Sequence, residues 1–203
     1  MAHQSEQATF CLSSGQVPVP LLSLIDRRAR GGRRLILAID GRCASGKTSL
    51  AAALERIYGC NVFHMDDFFL RPEQRTPARY AQPGGNVDAE RFLKQVLCPL
   101  AAGETVSFSR FDCARMALMP PVSVPPRPIS IVEGVYSLRP DLRPFYDAGV
   151  FLDIDPALQR RRLLEREGPE RVQTFLTKWI PLEEAYIAGC RPQEACNLVL
   201  KSL

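Results

Sequence analysis

Apolar residues in this chain fall into short unbroken runs separated by segments of helical period. Leu35-Ile36-Leu37-Ala38-Ile39 precedes Asp40 and a glycine turn, the pattern of a strand buried on both faces. Thr48 to Tyr58 is rich in Ala and Leu and closes on Gly59, which predicts a helix. Asn61 to Met65 reads as a second strand. Asp88 to Leu100 reads as a helix with Phe92, Leu93, Val96 and Leu97 on one face. Ile129 to Glu133 and Val150 to Ile154 are further strands, and Asn197 to Leu200 a last one. Leu21 to Arg30 predicts a short helix stopped by Gly31-Gly32, its basic end suiting the helix dipole. Pro156 to Glu167 predicts an arginine-loaded helix, and Arg171 to Ala188 another that Pro181 should kink or split. Strands separated by helices predict a parallel sheet of about five strands covered on both faces, a three-layer α/β/α architecture.

Residues 1–20 are mixed in character and end in Val17-Pro18-Val19-Pro20, so a flexible N-terminus is expected ahead of one domain over residues 21–203. Arg71 to Gly85 carries Pro72, Pro77, Pro83 and Gly84-Gly85 and is expected to be a long surface loop, a lid or a binding loop. Val106 to Phe111 alternates, and a proline-rich connector follows from Pro120 to Pro128.

Composition narrows the classes of function. Hydrophobic residues make up 46% and charged residues 24% of 203, ordinary values for a globular protein with an ample core. The first ten residues show no secretory pattern, and no apolar run is long enough to span a bilayer, so the expected location is the cytoplasm with no membrane partner. Seven cysteines, an odd number with no C-x-x-C pair, suggest neither a disulfide framework nor a zinc cluster. Two histidines are too few for a histidine-rich metal site. The net charge of +4 comes from arginines spread over several segments, without a basic tail, which suits a polyphosphate ligand better than nucleic acid.

The run Gly41-Arg42-Cys43-Ala44-Ser45-Gly46-Lys47-Thr48 matches G-x-x-x-x-G-K-[ST] in full, between an apolar strand and a helix. Glycine lets the backbone curl so that N–H groups point at phosphate oxygens, and the helix beginning near Lys47 adds its positive end. The nucleotide is therefore expected on Gly41, Ala44, Ser45, Gly46, Lys47, Thr48 and Ser49, with Lys47 on the β- and γ-phosphates and the Thr48 hydroxyl on Mg²⁺. Leu12-Ser13-Ser14-Gly15-Gln16 resembles the signature of transport ATPases but precedes the phosphate loop instead of following it, and chance explains it.

Asp66 and Asp67 come directly after the second strand, at the end where open parallel sheets bind ligands. Asp66 is the candidate acceptor for the proton of an attacking hydroxyl, with Asp67 a bystander that caps the next segment. Glu133, at the tip of a core strand before Gly134, is the candidate partner of Mg²⁺ or its waters. Arg160, Arg161, Arg162 and Arg166 stud one helix, with Arg162 and Arg166 a turn apart. One or two of these arginines are expected to stabilise transferred phosphoryl when a lid closes, and the rest to form a solvated face with Glu165 and Glu167.

In order, GRCASGKT, HMDDFF, GGNVDAERF, FSRFDC, IVEGVY and an arginine-rich lid resemble the uridine kinase family, over about Leu35 to Leu200. The resemblance implies a P-loop fold, with ATP and Mg²⁺ as cofactors and a small hydroxyl-bearing acceptor. It implies Asp66 as base, Asp88 on the acceptor's ribose hydroxyls and Glu133 as the magnesium-linked acid. Arg162 and Arg166 fall where lid arginines are expected, making them catalytic with Asp66 and Lys47. Arg110-Phe111-Asp112 is similar to a Tyr-Asp pair near the nucleobase pocket, which places Phe111 and Asp112 beside the acceptor. The family's pyrimidine-reading histidine is replaced by Cys113, Ala114 and Arg115, which leaves uridine the nominal acceptor.

The expected function is ATP-dependent phosphorylation of a small metabolite, a nucleoside by resemblance. A nucleotide-dependent regulatory ATPase without an acceptor is the alternative, and an arginine-rich nucleic-acid binder ranks last. The D-x-x-G and N-K-x-D readers of a GTPase do not occur in the sequence.

Overall fold

The structure, a computed structural model, describes residues 6–10 and 16–202. In chain order it contains β1 (Glu6–Phe10), α1 (Val19–Ala29), β2 (Leu35–Gly41), α2 (Lys47–Tyr58), β3 (Asn61–His64), α3 (Pro77–Tyr80), α4 (Ala89–Phe92) and α5 (Cys98–Ala102). The small strands β4 (Val106–Phe108), β5 (Phe111–Asp112), β6 (Ala117–Leu118) and β7 (Val122–Val124) follow. Then come β8 (Ile129–Glu133), β9 (Ala148–Ile154), α6 (Pro156–Thr174), α7 (Ile180–Cys190), α8 (Pro192–Ala195) and β10 (Leu198–Ser202).

The main sheet has six strands in the order β1-β10-β9-β2-β8-β3, and every pairing in it is parallel. The count exceeds the expected five because Glu6–Phe10, within the segment expected to be loose, pairs along β10. Edge pairing of this kind depends on what lies beside a segment, and the mixed composition of residues 1–20 gave no sign of it. Of the transport-ATPase-like run, Leu12 to Gly15 lie outside the described residues.

All seven residues of β2 are buried because the strand sits between β8 and β9 with helices on both faces. Side-chain alternation divides them. Leu35, Leu37 and Ile39 join Leu21, Leu24 and Ile25 of α1 and Leu50 and Leu54 of α2 on one face. Ile36 and Val132 face the other layer with Phe63, Phe68, Phe92 and Tyr186. Each fully buried Leu, Ile or Phe contributes about 1.5–3 kcal/mol by leaving water, so these two clusters dominate the fold's stability.

The segments outside the main sheet are more broken than the sequence pattern implied. The helix expected over residues 88–100 runs α4, a π-helical turn at Leu93–Leu97, then α5, with Pro99 in the first turn of α5. Val106–Phe111 and the proline-rich connector form two antiparallel ladders, β4 with β7 and β5 with β6, that project from the main sheet. The arginine-loaded helix, expected over Pro156 to Glu167, breaks at Gly168 (φ 79°, ψ 170°) and continues to Thr174 as α6. Pro181 sits at the start of α7, directly after a π-helical turn at Phe175–Trp179 that joins α6 to α7, so the helix continues through a change of period where a kink or split was expected. No described helix is long and apolar enough to cross a membrane.

Candidate active site

The register of the central strands assembles the site. Ile39 pairs with Glu133, and Glu133 with His64, so the phosphate loop after β2, the acid at the tip of β8 and the segment after β3 leave the sheet side by side. Their exit edge is the carboxyl end, where α/β sheets bind ligands. A cavity of about 950 Å³ opens there.

The loop curls through three left-handed or glycine-type positions, Gly41 (φ 141°), Ala44 (φ 59°) and Gly46 (φ 99°). A side chain at Gly41 is excluded, because a Cβ would lie 2.1 Å from the Leu152 carbonyl oxygen. Ala44 bears about 1–2 kcal/mol of backbone strain that alanine would avoid elsewhere. Gly46 is the N-cap of α2 and offers no side-chain cap. The first amides of α2, at Lys47, Thr48 and Ser49, consequently keep the open donors and the positive dipole end that hold phosphate. Lys47 is buried, its Nζ donating to the Gly41 and Arg42 carbonyls at 2.9 and 2.8 Å, which folds it across the loop.

Several side chains brace the loop from behind. Asp40, fully buried, accepts the N–H groups of Gly41 (2.6 Å), Tyr136 (3.2 Å) and Leu138 (2.7 Å) and the Tyr186 hydroxyl (2.6 Å). Arg42 donates to Asp153 at 2.9 Å and pairs with Glu184. Gln159 and Arg162 of α6 donate to the Cys43 and Ala44 carbonyls at 3.1 and 3.3 Å. Glu183 of α7, only 3% exposed, accepts the Cys43 N–H at 2.8 Å, and burial raises its pKa above the usual range.

The acidic side of the cavity is compact. Thr48 Oγ1 donates to Glu133 Oε1 at 3.1 Å, and the same carboxylate oxygen lies 2.6 Å from His64 Nδ1. That contact raises the imidazole pKa. Asp66 is exposed to the cavity, and partial enclosure there, with Glu133 and Asp67 nearby, raises its carboxyl pKa despite Lys47 and His64. Asp66 takes part in no hydrogen bond among the described residues. Asp67 turns aside to Arg110, 3.4 Å away.

Across the cavity, Arg162, Arg166 and Arg171 line the wall with Phe175 and Trp179. Arg166 and Arg171 both hold Glu167, at 2.8 and 3.3 Å. Arg161 points outward and pairs with Glu165 at 4.0 Å. Lys47, Thr48, Ser49, Asp66, Glu133, Arg162 and Arg166 thus share one cavity with Ala44 and Gly46.

Three residues expected beside the acceptor are not among those lining that cavity. Asp88, 1% exposed, caps α4 through the Arg91 N–H at 3.1 Å and pairs with Arg71 and Arg91 at 3.4 and 3.3 Å. Asp112 accepts the amides of Ala114 and Arg115 at 2.8 and 3.1 Å, which turns the β5–β6 hairpin and lowers its pKa. Phe111 is buried, with the Arg75 guanidinium 5.5 Å from its ring centroid. Sequence reasoning missed Asp40, although it is the one charge in an otherwise apolar strand. Glu183 carried no comparable signal, because only tertiary packing brings α7 to the loop.

A phosphate loop on a parallel sheet, with acids at the neighbouring strand tips and an arginine helix opposite, is the constellation of a P-loop kinase. No protein-family model matches the chain. A uridine kinase of Chloroflexus aurantiacus is 30% identical over 168 residues, 78% of each chain, and one of Chloroflexus aggregans is 30% identical over 166 residues with the same coverage. The chain therefore belongs to the uridine kinase family. A solved structure of a possible uridine kinase from Bacillus stearothermophilus matches its fold with a TM-score of 0.66 at 23% identity, over 89% of this chain and 96% of that one.

Proposed function

We propose that the protein transfers the γ-phosphoryl group of ATP to a hydroxyl of a small metabolite, nucleoside-like by kinship. The observation that carries this reading is the single cavity in which an unengaged carboxylate, Asp66, faces the phosphate loop and the arginines of α6. A kinase has little covalent chemistry to perform, so catalysis rests on positioning and on charge stabilisation.

Asp66 takes the proton of the attacking hydroxyl as its oxygen bonds to phosphorus and the bond to the ADP oxygen breaks. Lys47 with Arg162 and Arg166 neutralises charge on the transferred group. The uncapped first turn of α2 suits the nucleotide phosphates. Thr48 and Glu133, two hard oxygen donors 3.1 Å apart, suit Mg²⁺, which binds one or two protein groups and completes its shell with waters and phosphate oxygens. When bound there, the ion neutralises phosphate charge. Asp88, with Arg71 and Arg91, supports the acceptor side through the loop, as Phe111 and Asp112 do through the hairpin.

An ADP-release screen over nucleosides, pantothenate, nicotinamide riboside and simple sugars tests the reading. Acceptor-stimulated turnover that Asp66→Asn abolishes, with ATP affinity retained, is the expected result. ADP release indifferent to every acceptor would replace it with a regulatory ATPase, and an active Asp66→Asn protein would remove the assigned base.

A further inference from the structure

Charge pairing on the acceptor side of the cavity leaves one cation over. Among the described arginines between residues 71 and 115, Arg71 lies within 4.0 Å of Glu73 and Asp88, Arg79 of Glu90, Arg91 of Asp88, Arg110 of Asp67 and Arg115 of Asp112. Arg75 alone in this stretch has no carboxylate within that distance, yet it lines the cavity. Its Nε donates to the Leu70 carbonyl at 2.9 Å and its guanidinium packs near Phe111, which fixes the side chain. The guanidinium also hydrogen-bonds the Cys113 sulfur, a weak neutral acceptor, and its remaining N–H donors suit a carboxylate or a phosphate.

The surroundings place this fork on the acceptor side. Arg75 interacts with Cys113, and the Cys113 thiol also lies within electrostatic reach of Asp66. Asn86, 6% exposed, lines the same cavity, hydrogen-bonds Tyr136 through its side chain and carries an Oδ1 without a protein partner, a polar group on the same wall as Arg75. The phosphate loop already has Lys47 and the arginines of α6 and needs no further cation. A partly exposed guanidinium that lacks a carboxylate partner and lines the cavity is placed to take a ligand anion, because its fork of donors forms charge-assisted hydrogen bonds with one.

We propose that Arg75 binds an anionic group on the acceptor, a carboxylate or a phosphate monoester, so that the substrate is a hydroxylated small anion. This rests on the kinase reading above and replaces its nucleoside-like acceptor with an anionic one. Asn86 takes one of the acceptor's hydroxyls, and the hydroxyl to be phosphorylated lies toward Asp66.

The test is ADP release by the full chain with matched pairs, glycerol against glycerate and ribose against ribose 5-phosphate, with uridine as the neutral nucleoside. Turnover of the anionic member of a pair over its neutral counterpart supports the proposal, and the pair that responds separates carboxylate from phosphate. Arg75→Gln should then raise the KM for that anion about ten- to a hundredfold, as loss of a charge-assisted bidentate contact would, without a matching rise in the KM for ATP. Arg75→Lys, which keeps the charge, should recover part of the loss and serves if the glutamine variant does not fold. A parallel rise in the KM for ATP would assign Arg75 to the nucleotide and overturn the proposal. Turnover of uridine or another neutral compound, unaffected by Arg75→Gln, would overturn it while leaving the kinase intact. If nothing in the panel stimulates ADP release, the kinase reading is in question, and calorimetric titration of the same pairs in the presence of a non-hydrolysable ATP analogue decides on Arg75. Binding of glycerate or ribose 5-phosphate that Arg75→Gln removes would sustain the anion site. Equal or absent binding of anion and neutral compound would sink it.

Discussion

Glu183 accepts the backbone N–H of Cys43 at 2.8 Å, so a carboxylate from α7 rests inside the loop that is proposed to hold polyphosphate. The contact satisfies one loop amide and sets the loop's shape, but it also brings a negative charge to an anion site. Like charges a few ångströms apart in such surroundings repel by about 1 kcal/mol or more. Glu183→Gln keeps an oxygen acceptor for Cys43 and removes the charge, so ATP should bind about fivefold more tightly in calorimetric titration. Weaker binding would make the carboxylate a supporting element of the bound state.

The raised pKa of Asp66 predicts the acid limb of the rate profile. A base acts only when deprotonated, so kcat should fall with decreasing pH at a higher pH than an ordinary aspartate, whose reference value is 3.8, would produce. A pH series of kcat at saturating substrates checks this, and a limb at or below the ordinary value would contradict the enclosure described.

His64 and Glu133 make stability depend on pH in the opposite half of the range. The Glu133 contact raises the imidazole pKa above 6.5, so the stabilisation is fully present below 6.5 and is lost as the pH rises through the raised value. The stability difference between wild type and His64→Gln, measured by denaturant unfolding, should shrink over that window. A difference that grew with pH would assign the proton elsewhere.

Gly168 occupies φ 79°, ψ 170°, a conformation nearly restricted to glycine, with no atom within 4 Å of where a Cβ would be. Substitution by alanine therefore meets no clash and acts on the backbone alone, disfavouring this bend of α6 by about 1–3 kcal/mol. Because Arg162 and Arg166 lie on one side of the bend and Arg171 on the other, Gly168→Ala should change kcat and KM for ATP together in steady-state assays. Unchanged kinetics would show that the bend does not contribute to the arginine wall.

Asp40→Ala would orphan three backbone N–H groups and the Tyr186 hydroxyl in the core. Each unsatisfied buried donor costs about 1–3 kcal/mol, so a loss of at least about 3 kcal/mol is expected in chemical denaturation, with nucleotide affinity falling as the loop loosens. A loss under about 1 kcal/mol would mean that water replaces the carboxylate.

The core strands were legible because a parallel sheet buried on both faces demands apolar runs, and Leu35–Ile39 and Val150–Leu152 show them plainly, as does Ile129–Val132 but for Ser130. The phosphate loop was legible for a related reason, since glycine, lysine and threonine at fixed spacing are what a curled loop before a helix requires. Less readable were β1 and the β4–β7 and β5–β6 ladders, whose short strands carry little periodicity and exist through their pairing. Asp88 shows the same limit at the site. The family resemblance implied an acceptor contact for it, whereas its carboxylate pairs with Arg71 and Arg91.

Local chemistry, read along the chain, was enough to settle the strand-loop-helix unit and to nominate Asp66, Glu133 and the arginines of α6. Long-range packing decided the rest. It carried Glu183 across 140 residues to Cys43 and wrapped Asp40 in donors from two other segments. It also left Arg75 facing the cavity while the neighbouring arginines found carboxylates. The physical reason is that a hydrogen bond or ion pair between distant segments leaves no period or spacing in the sequence. Such contacts are selected only when the sheet register and helix docking bring the partners within reach.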